Sequence, residues 1–158
     1  MIDEKKLEKV VNILIEKNLK IATAESCTGG FIAHTFTNIS GSSDYFERGF
    51  VTYSNDAKMD LLGVSLELLK EHGAVSKSVA EAMAVGARKN SKADVGISTT
   101  GIAGPTGGTA EKPVGLVYIA VSNAEKTIVK KFNFKGNRLE NKYSSCNAAI
   151  EMLHDLIS

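Results

Sequence analysis

Apolar positions along the chain follow two different spacings. Leu7, Val10, Val11, Leu14 and Ile15 recur at three- and four-residue steps with Lys and Glu between them, which predicts an amphipathic helix over 3–18. The short apolar run Ile21-Ala22-Thr23 predicts a buried strand over 21–24. The small residues Ala24-Glu25-Ser26-Cys27-Thr28-Gly29-Gly30 then turn the chain into a helix over 28–37. A polar loop, 38–44, leads to a second strand over 49–53. Asn55 is the expected N-cap of a helix over 56–62 that Gly63 ends, and a short helix over 66–71 stops before Gly73. Ser78 and Glu81 have capping-box spacing for a helix reaching Arg88, and 93–99 reads as a third, central strand. After a long Gly-rich stretch, 101–115, come two antiparallel strands over 116–121 and 127–134. Asn137 with Glu140 caps a last helix striped by Leu139, Tyr143, Cys146, Ile150, Leu153 and Ile157. Helices alternating with strands predict one α/β domain over 1–158, a three-layer α/β/α arrangement with a mixed, mostly parallel sheet.

Composition narrows the possibilities. Hydrophobic residues make up 43% of the 158, enough for a sizeable core and too many for a disordered chain. The 19 basic and 18 acidic side chains nearly cancel, which argues against a nucleic-acid partner, because such binding needs a basic face. Cys27 and Cys146 are too few for a disulfide framework and fit a reduced compartment. The charged N-terminus lacks the apolar core of a signal peptide, and no apolar run reaches membrane-spanning length. The expectation is a cytoplasmic domain with no membrane partner.

The candidate chemistry is set as much by what is missing as by what is present. His34, His72 and His154 share no ligand spacing with one another or with a Cys, so no metal is expected. Neither phosphate-loop nor dinucleotide fingerprints occur, and there is no Gly-x-Ser-x-Gly elbow. Cys27 keeps a minor claim as a nucleophile, since a helix N-terminus lowers a thiol pKa. What remains is hydroxyls and one lysine: Ser26, Ser43, Tyr53, Thr99, Thr100 and Lys58. A Ser paired with a neutral Lys hydrolyses an acyl bond without His, and burial or a helix N-terminus supplies that neutrality. On spacing alone, a solvated helix Lys is the stronger reading of Lys58, and a solvated Arg the stronger reading of Arg138. Ser26 reads equally as the N-cap of the following helix. The turn through Thr28, Gly29 and Gly30 fits either close helix–strand packing or the approach of an anion to free backbone N–H groups. The 101–109 loop, rare in so small a domain, is a candidate ligand loop.

Longer motifs then add up. Thr23 to Gly30, Gly41-Ser42-Ser43, Phe46 to Lys58, His72 to Ser76, Thr100 to Gly108, Lys112 to Gly115 and Gly136-Asn137-Arg138 together resemble the CinA C-terminal domain family across nearly the whole chain. The resemblance implies a nicotinamide-nucleotide amidase that hydrolyses nicotinamide mononucleotide to nicotinate mononucleotide and ammonia, with no cofactor. It implies a homo-oligomer whose only other partner is the small-molecule substrate. Lys58, with Tyr53 beside it, matches the family's proton-handling positions. Ser26 and Ser43 both fall in family motifs, and the nucleophile stays open between them. Thr28, Gly29 and Gly30, with Thr100, Gly101, Gly104 and Arg138, would hold the substrate and its phosphate. The alternative is a non-catalytic nucleotide-binding or interaction domain linked to competence or DNA damage.

Overall fold

The structure, a computed structural model, describes residues 1–158. Its elements are α1 (Glu4–Glu16), β1 (Ile21–Glu25), α2 (Phe31–Thr37), β2 (Phe46–Val51), α3 (Asn55–Leu62), α4 (Leu66–His72), α5 (Lys77–Lys89), β3 (Val95–Gly101), β4 (Leu116–Ser122), β5 (Thr127–Asn133) and α6 (Arg138–Ile157). A single 3-10 turn, Ser42–Asp44, precedes β2. No helix is long and apolar enough to cross a membrane.

One sheet runs in the order β2-β1-β3-β4-β5. β1 lies parallel to both β2 and β3, whereas β4 lies antiparallel to both β3 and β5, so four of the five strands point the same way. The mixed, mostly parallel sheet expected from the sequence is present. Side chains alternate across it, as the two-residue period of a strand dictates. Ile21 and Ile97 join the larger core beneath α1 and α6, together with Leu14, Val10, Ile119 and Ile150. Ala22 and Ala24 face the other way, into a smaller core with Leu62, Leu69, Val79 and Met83 from α3, α4 and α5. These two covered faces make the three layers.

The second face is built for close approach. A Cβ placed on Gly96 of β3 would lie 2.0 Å from the Ala84 carbonyl oxygen of α5. The Ser98 hydroxyl donates to the Ala80 carbonyl of the same helix at 2.6 Å. Small residues on both partners therefore set the strand–helix separation, and α5 in turn steadies the end of β3 that carries Thr100 and Gly101.

Several boundaries differ from those expected. α2 begins at Phe31, with Gly30 at its N-cap position and no side-chain cap. Ser26 is therefore not its cap. β2 starts at Phe46 and ends at Val51, earlier than the apolar segment 49–53 suggests. Ser54 caps α3 by accepting from the Ala57 N–H, and Ser76 caps α5 by accepting from Val79. The expected caps, Asn55 and Ser78, lie inside those helices. The capping box of Asn137 and Glu140 forms as expected.

The chain leaves β1 through α2, packed on the α6 side, and returns from β2 to β3 through α3, α4 and α5 on the opposite side. The order of connection therefore reverses at β1, which opens a crevice beyond the carboxyl ends of β1, β2 and β3.

Candidate active site

Three chain segments leave the sheet at that crevice: Ser26-Cys27 after β1, Thr52-Tyr53 after β2, and the end of β3 at Thr100-Gly101. They surround a cavity of about 330 Å³ whose walls also include Lys58, Val75, Ile102 and Arg138. Its walls carry no His, Asp or Glu; the charged side chains are Lys58 and Arg138, both basic. The cavity therefore favours an anion and offers a single amine as a base.

Lys58 is 1% exposed and reaches back from the first turns of α3 to the end of β1. Its Nζ lies 3.0 Å from Ser26 Oγ and donates to the Thr52 carbonyl at 2.9 Å, with a longer contact to the Tyr53 carbonyl at 3.4 Å. No carboxylate forms an ion pair with it. Burial without a counter-ion pushes the Lys58 amine below the ordinary lysine range. Ser26 is held in place by its own backbone, whose N–H donates to the Thr99 carbonyl at 3.0 Å. A hydroxyl hydrogen-bonded to a buried amine whose pKa is depressed is the arrangement of a nucleophile and its base.

The two serines are thus placed apart. Ser43 is exposed in the 3-10 turn that precedes β2. Lys58 works at the far end of that strand, roughly 20 Å away for a strand of this length. Ser43 does not line the cavity. Tyr53 also departs from expectation. Its ring is 63% exposed at the rim, and its phenol accepts from Arg138 Nη2 at 3.3 Å. Its carbonyl, rather than its hydroxyl, faces Lys58.

The start of α2 is already occupied by an anion from the protein itself. The Glu25 carboxylate, 1% exposed at the end of β1, accepts from the Ile32 N–H at 2.8 Å and the Ala33 N–H at 3.0 Å. It also accepts from the Thr28 hydroxyl at 2.6 Å, and Thr28 shares a 2.7 Å bond with Thr99. With the helix start satisfied from inside, Thr28, Gly29 and Gly30 lie outside the cavity walls, contrary to the expectation that they bind substrate. Gly29 and Gly30 serve the turn instead, at φ +61° and +100°, a region that residues with a side chain rarely adopt. Cys27 lines the cavity, but burial raises its thiol to about 12, which removes its claim as a thiolate nucleophile.

Thr100, Gly101, Gly104 and Arg138 do meet at the cavity. The Thr100 hydroxyl donates to the Ala74 carbonyl at 2.8 Å. Arg138 Nη1 donates to the Gly104 carbonyl at 2.8 Å. The backbone N–H groups of Ala103, Gly104, Thr106 and Gly107 take no acceptor within the protein. Gly104 and Gly107 have φ of +85° and +91°, backbone that residues with a side chain rarely adopt, and Pro105 between them has no N–H to offer. Asn55, Ala74 and Val75 complete the walls and were not singled out from the sequence. They lie within the motif segments Phe46 to Lys58 and His72 to Ser76, at the first residue of α3 and in the turn before α5, and no residue-level signal set them apart there. Glu25 was also missed, because its partners lie seven and eight residues on.

A family model described as CinA C-terminal domain matches residues 3–157. A protein of Caldicellulosiruptor saccharolyticus, whose name assigns it provisionally to the competence-damage inducible proteins, is 54% identical over 157 residues, covering 99% of this chain and 38% of that one. A CinA-like protein of Syntrophus aciditrophicus is 50% identical over 153 residues, covering 96% of this chain and 36% of that one. The chain thus spans little more than a third of the length of these relatives. Among solved structures, the competence/damage inducible protein CihA from Agrobacterium tumefaciens is 43% identical, with a TM-score of 0.96 over 98% of this chain and 95% of that one. A CinA superfamily protein from Escherichia coli is 33% identical, with a TM-score of 0.91 over 99% of this chain and 93% of that one.

Proposed function

The chain belongs to the CinA C-terminal domain family, and on that footing we propose that it is an amidohydrolase that converts nicotinamide mononucleotide to nicotinate mononucleotide and ammonia. One observation carries the reading: a buried lysine with no counter-ion stands 3.0 Å from Ser26 Oγ at the floor of a cavity whose only charges are basic.

Neutral Lys58 takes the proton from Ser26 Oγ, which attacks the carboxamide carbon. The electron pair of the C=O bond moves to oxygen, and the tetrahedral oxyanion takes the backbone N–H of Cys27, which otherwise bonds only its own thiol. The Lys58 ammonium then gives its proton to the departing nitrogen, ammonia leaves, and an acyl ester remains on Ser26. Water, deprotonated by Lys58, attacks that ester. Collapse of the second tetrahedral intermediate returns the proton to Ser26 and frees the carboxylate product. The pyridine ring has Val75 and Ile102 beside it, and the phosphate falls to Arg138 and the amides of the 103–107 loop.

Ammonia release from nicotinamide mononucleotide tests the reading, with Ser26→Ala and Lys58→Met each expected to lower turnover by about 1,000-fold or more. Mass spectrometry of protein quenched during turnover should find the acyl group on the peptide that contains Ser26. No ammonia from the unaltered protein, or full turnover by Ser26→Ala, overturns it.

A further inference from the structure

The cavity at Ser26 has a neighbour. A second cavity of about 520 Å³ lies across the 103–105 loop, walled by Pro105, Val114, Gly136 and Leu139. Ala103 and Arg138 belong to the walls of both cavities. Gly104 faces the first and Pro105 the second, so the loop and the Arg138 side chain form the partition.

Each part of that partition is held in place. Arg138 Nη1 is bonded to the Gly104 carbonyl on one side and Nη2 to the Tyr53 phenol on the other. The planar guanidinium thus spans the rim, tied to the segment after β2 at one end and to the ligand loop at the other. The loop cannot move aside easily: a Cβ on Gly104 would lie 2.3 Å from Val114 Cγ1, so the backbone there is already packed against the next segment. The second cavity differs in chemistry from the first. Pro105, Val114 and Leu139 give it an apolar wall, and Leu139 leaves 57% of its surface exposed. The Asn137 side chain is already taken by the Glu140 N–H in the capping box. No charged side chain other than Arg138 borders this cavity. Its apolar wall can take a heterocycle by hydrophobic contact, and it offers nothing further to a phosphate.

We propose that Arg138, clasped between Gly104 and Tyr53, is a specificity-determining residue that limits ligands to a terminal phosphate monoester and closes off an apolar cavity large enough for the second nucleoside of a dinucleotide. This deepens the amidase reading and rests on it. A monoester ends at the guanidinium and takes its paired N–H donors side by side. A pyrophosphate diester has to continue past the same point, and the bridge from Tyr53 to Gly104 stands in its way.

The test compares kcat/KM for nicotinamide mononucleotide and for nicotinamide adenine dinucleotide, which present the same carboxamide. The proteins are the unaltered chain, Arg138→Lys, Arg138→Ala and Arg138→Ala with Leu139→Trp, each checked for folding by thermal melt. The preference for the mononucleotide should fall by about tenfold or more in Arg138→Ala, through a gain on the dinucleotide as well as a loss on the mononucleotide. Arg138→Lys keeps the charge but not the two-way clasp, so it should hold most mononucleotide activity and still lose preference. Leu139→Trp, by filling the second cavity, should restore the preference in the Arg138→Ala background. Equal losses on both substrates in Arg138→Ala and Arg138→Lys would reduce Arg138 to a phosphate anchor and overturn the proposal. So would a preference that Leu139→Trp leaves unmoved. If the unaltered protein hydrolyses neither nucleotide, the amidase reading fails. The ratio of dissociation constants for the two nucleotides across the same four proteins then decides the partition by itself.

Discussion

Lys58 carries a burden that most buried side chains do not. A lysine taken out of water with only neutral oxygens around it is destabilised in its charged form, and its pKa falls. That gives two linked expectations. In the proposed amidase reaction the base is the free amine, so kcat/KM should decline as pH drops through the depressed Lys58 pKa, and a pH–rate profile reads that limb directly. Stability carries the same sign. Between the folded pKa of Lys58 and its unfolded value near 10.4, the unfolded chain binds more protons, so stability should rise with pH across that window and flatten below it. Lys58→Met should remove this slope, as measured by urea unfolding at several pH values, while activity is lost. Ser43 gives the contrasting case. Exposed in its turn and distant from the amine, it should tolerate Ser43→Ala with ammonia release kept within about twofold, since surface changes of this kind are nearly neutral. Motif membership did not separate Ser26 from Ser43, because both lie in Gly- and Ser-rich turns next to strands. What separates them is the end of the sheet each occupies, and that depends on strand direction.

Glu25 shows how one strand residue can hold a whole helix. α2 is a short helix that starts on glycine with no side-chain cap, and its first amides are satisfied by a carboxylate from β1. Removing it in Glu25→Ala leaves the Ile32 and Ala33 amides and the Thr28 hydroxyl without their acceptor. The expected cost is about 2–4 kcal/mol, read as a lower urea midpoint. Hydrogen exchange should quicken first at α2, and Glu25→Gln, which keeps one accepting oxygen, should lose less. Elements with a strong period, such as α1 and α6, were legible from their apolar stripes. The start of β2 was not, because Phe46, Glu47 and Arg48 lie on an edge strand where one apolar face is not required. Caps slipped by one or two residues for a related reason. Ser54 and Asn55, like Ser76 and Ser78, are all good capping types, and only the hydrogen bond to the third residue on decides between them. A helix cap supplied from another element, as Glu25 supplies it, lies outside any local spacing rule.

The site as a whole exists because the sheet reverses its order at β1. Ser26, Lys58, Thr100 and Arg138 are separated by long stretches of sequence, and the crevice at the carboxyl ends of β1, β2 and β3 brings them around one cavity. From sequence, the alternation of helices and strands gave the layers, and the family motifs marked the segments that carry the site. The crossing of α6 over the 103–104 loop, through Arg138 on Gly104 and Asn141 on the Ala103 carbonyl, had no local sign. A ligand in this crevice would tie three strand ends to α6 and so stabilise the entire domain. Nicotinate mononucleotide at about 100 times its dissociation constant should add about 2.7 kcal/mol and raise Tm by about 5–10 °C for a chain of this size. Arg138→Ala, measured at the same ligand concentration, should show a much smaller rise, because the phosphate loses its cation. Ser26→Ala should keep most of the rise while releasing no ammonia, since the proposed reaction uses its hydroxyl on the carboxamide and leaves the phosphate to Arg138. If Ser26→Ala abolished the shift as completely as Arg138→Ala, binding and chemistry would not be divided between the two ends of the crevice.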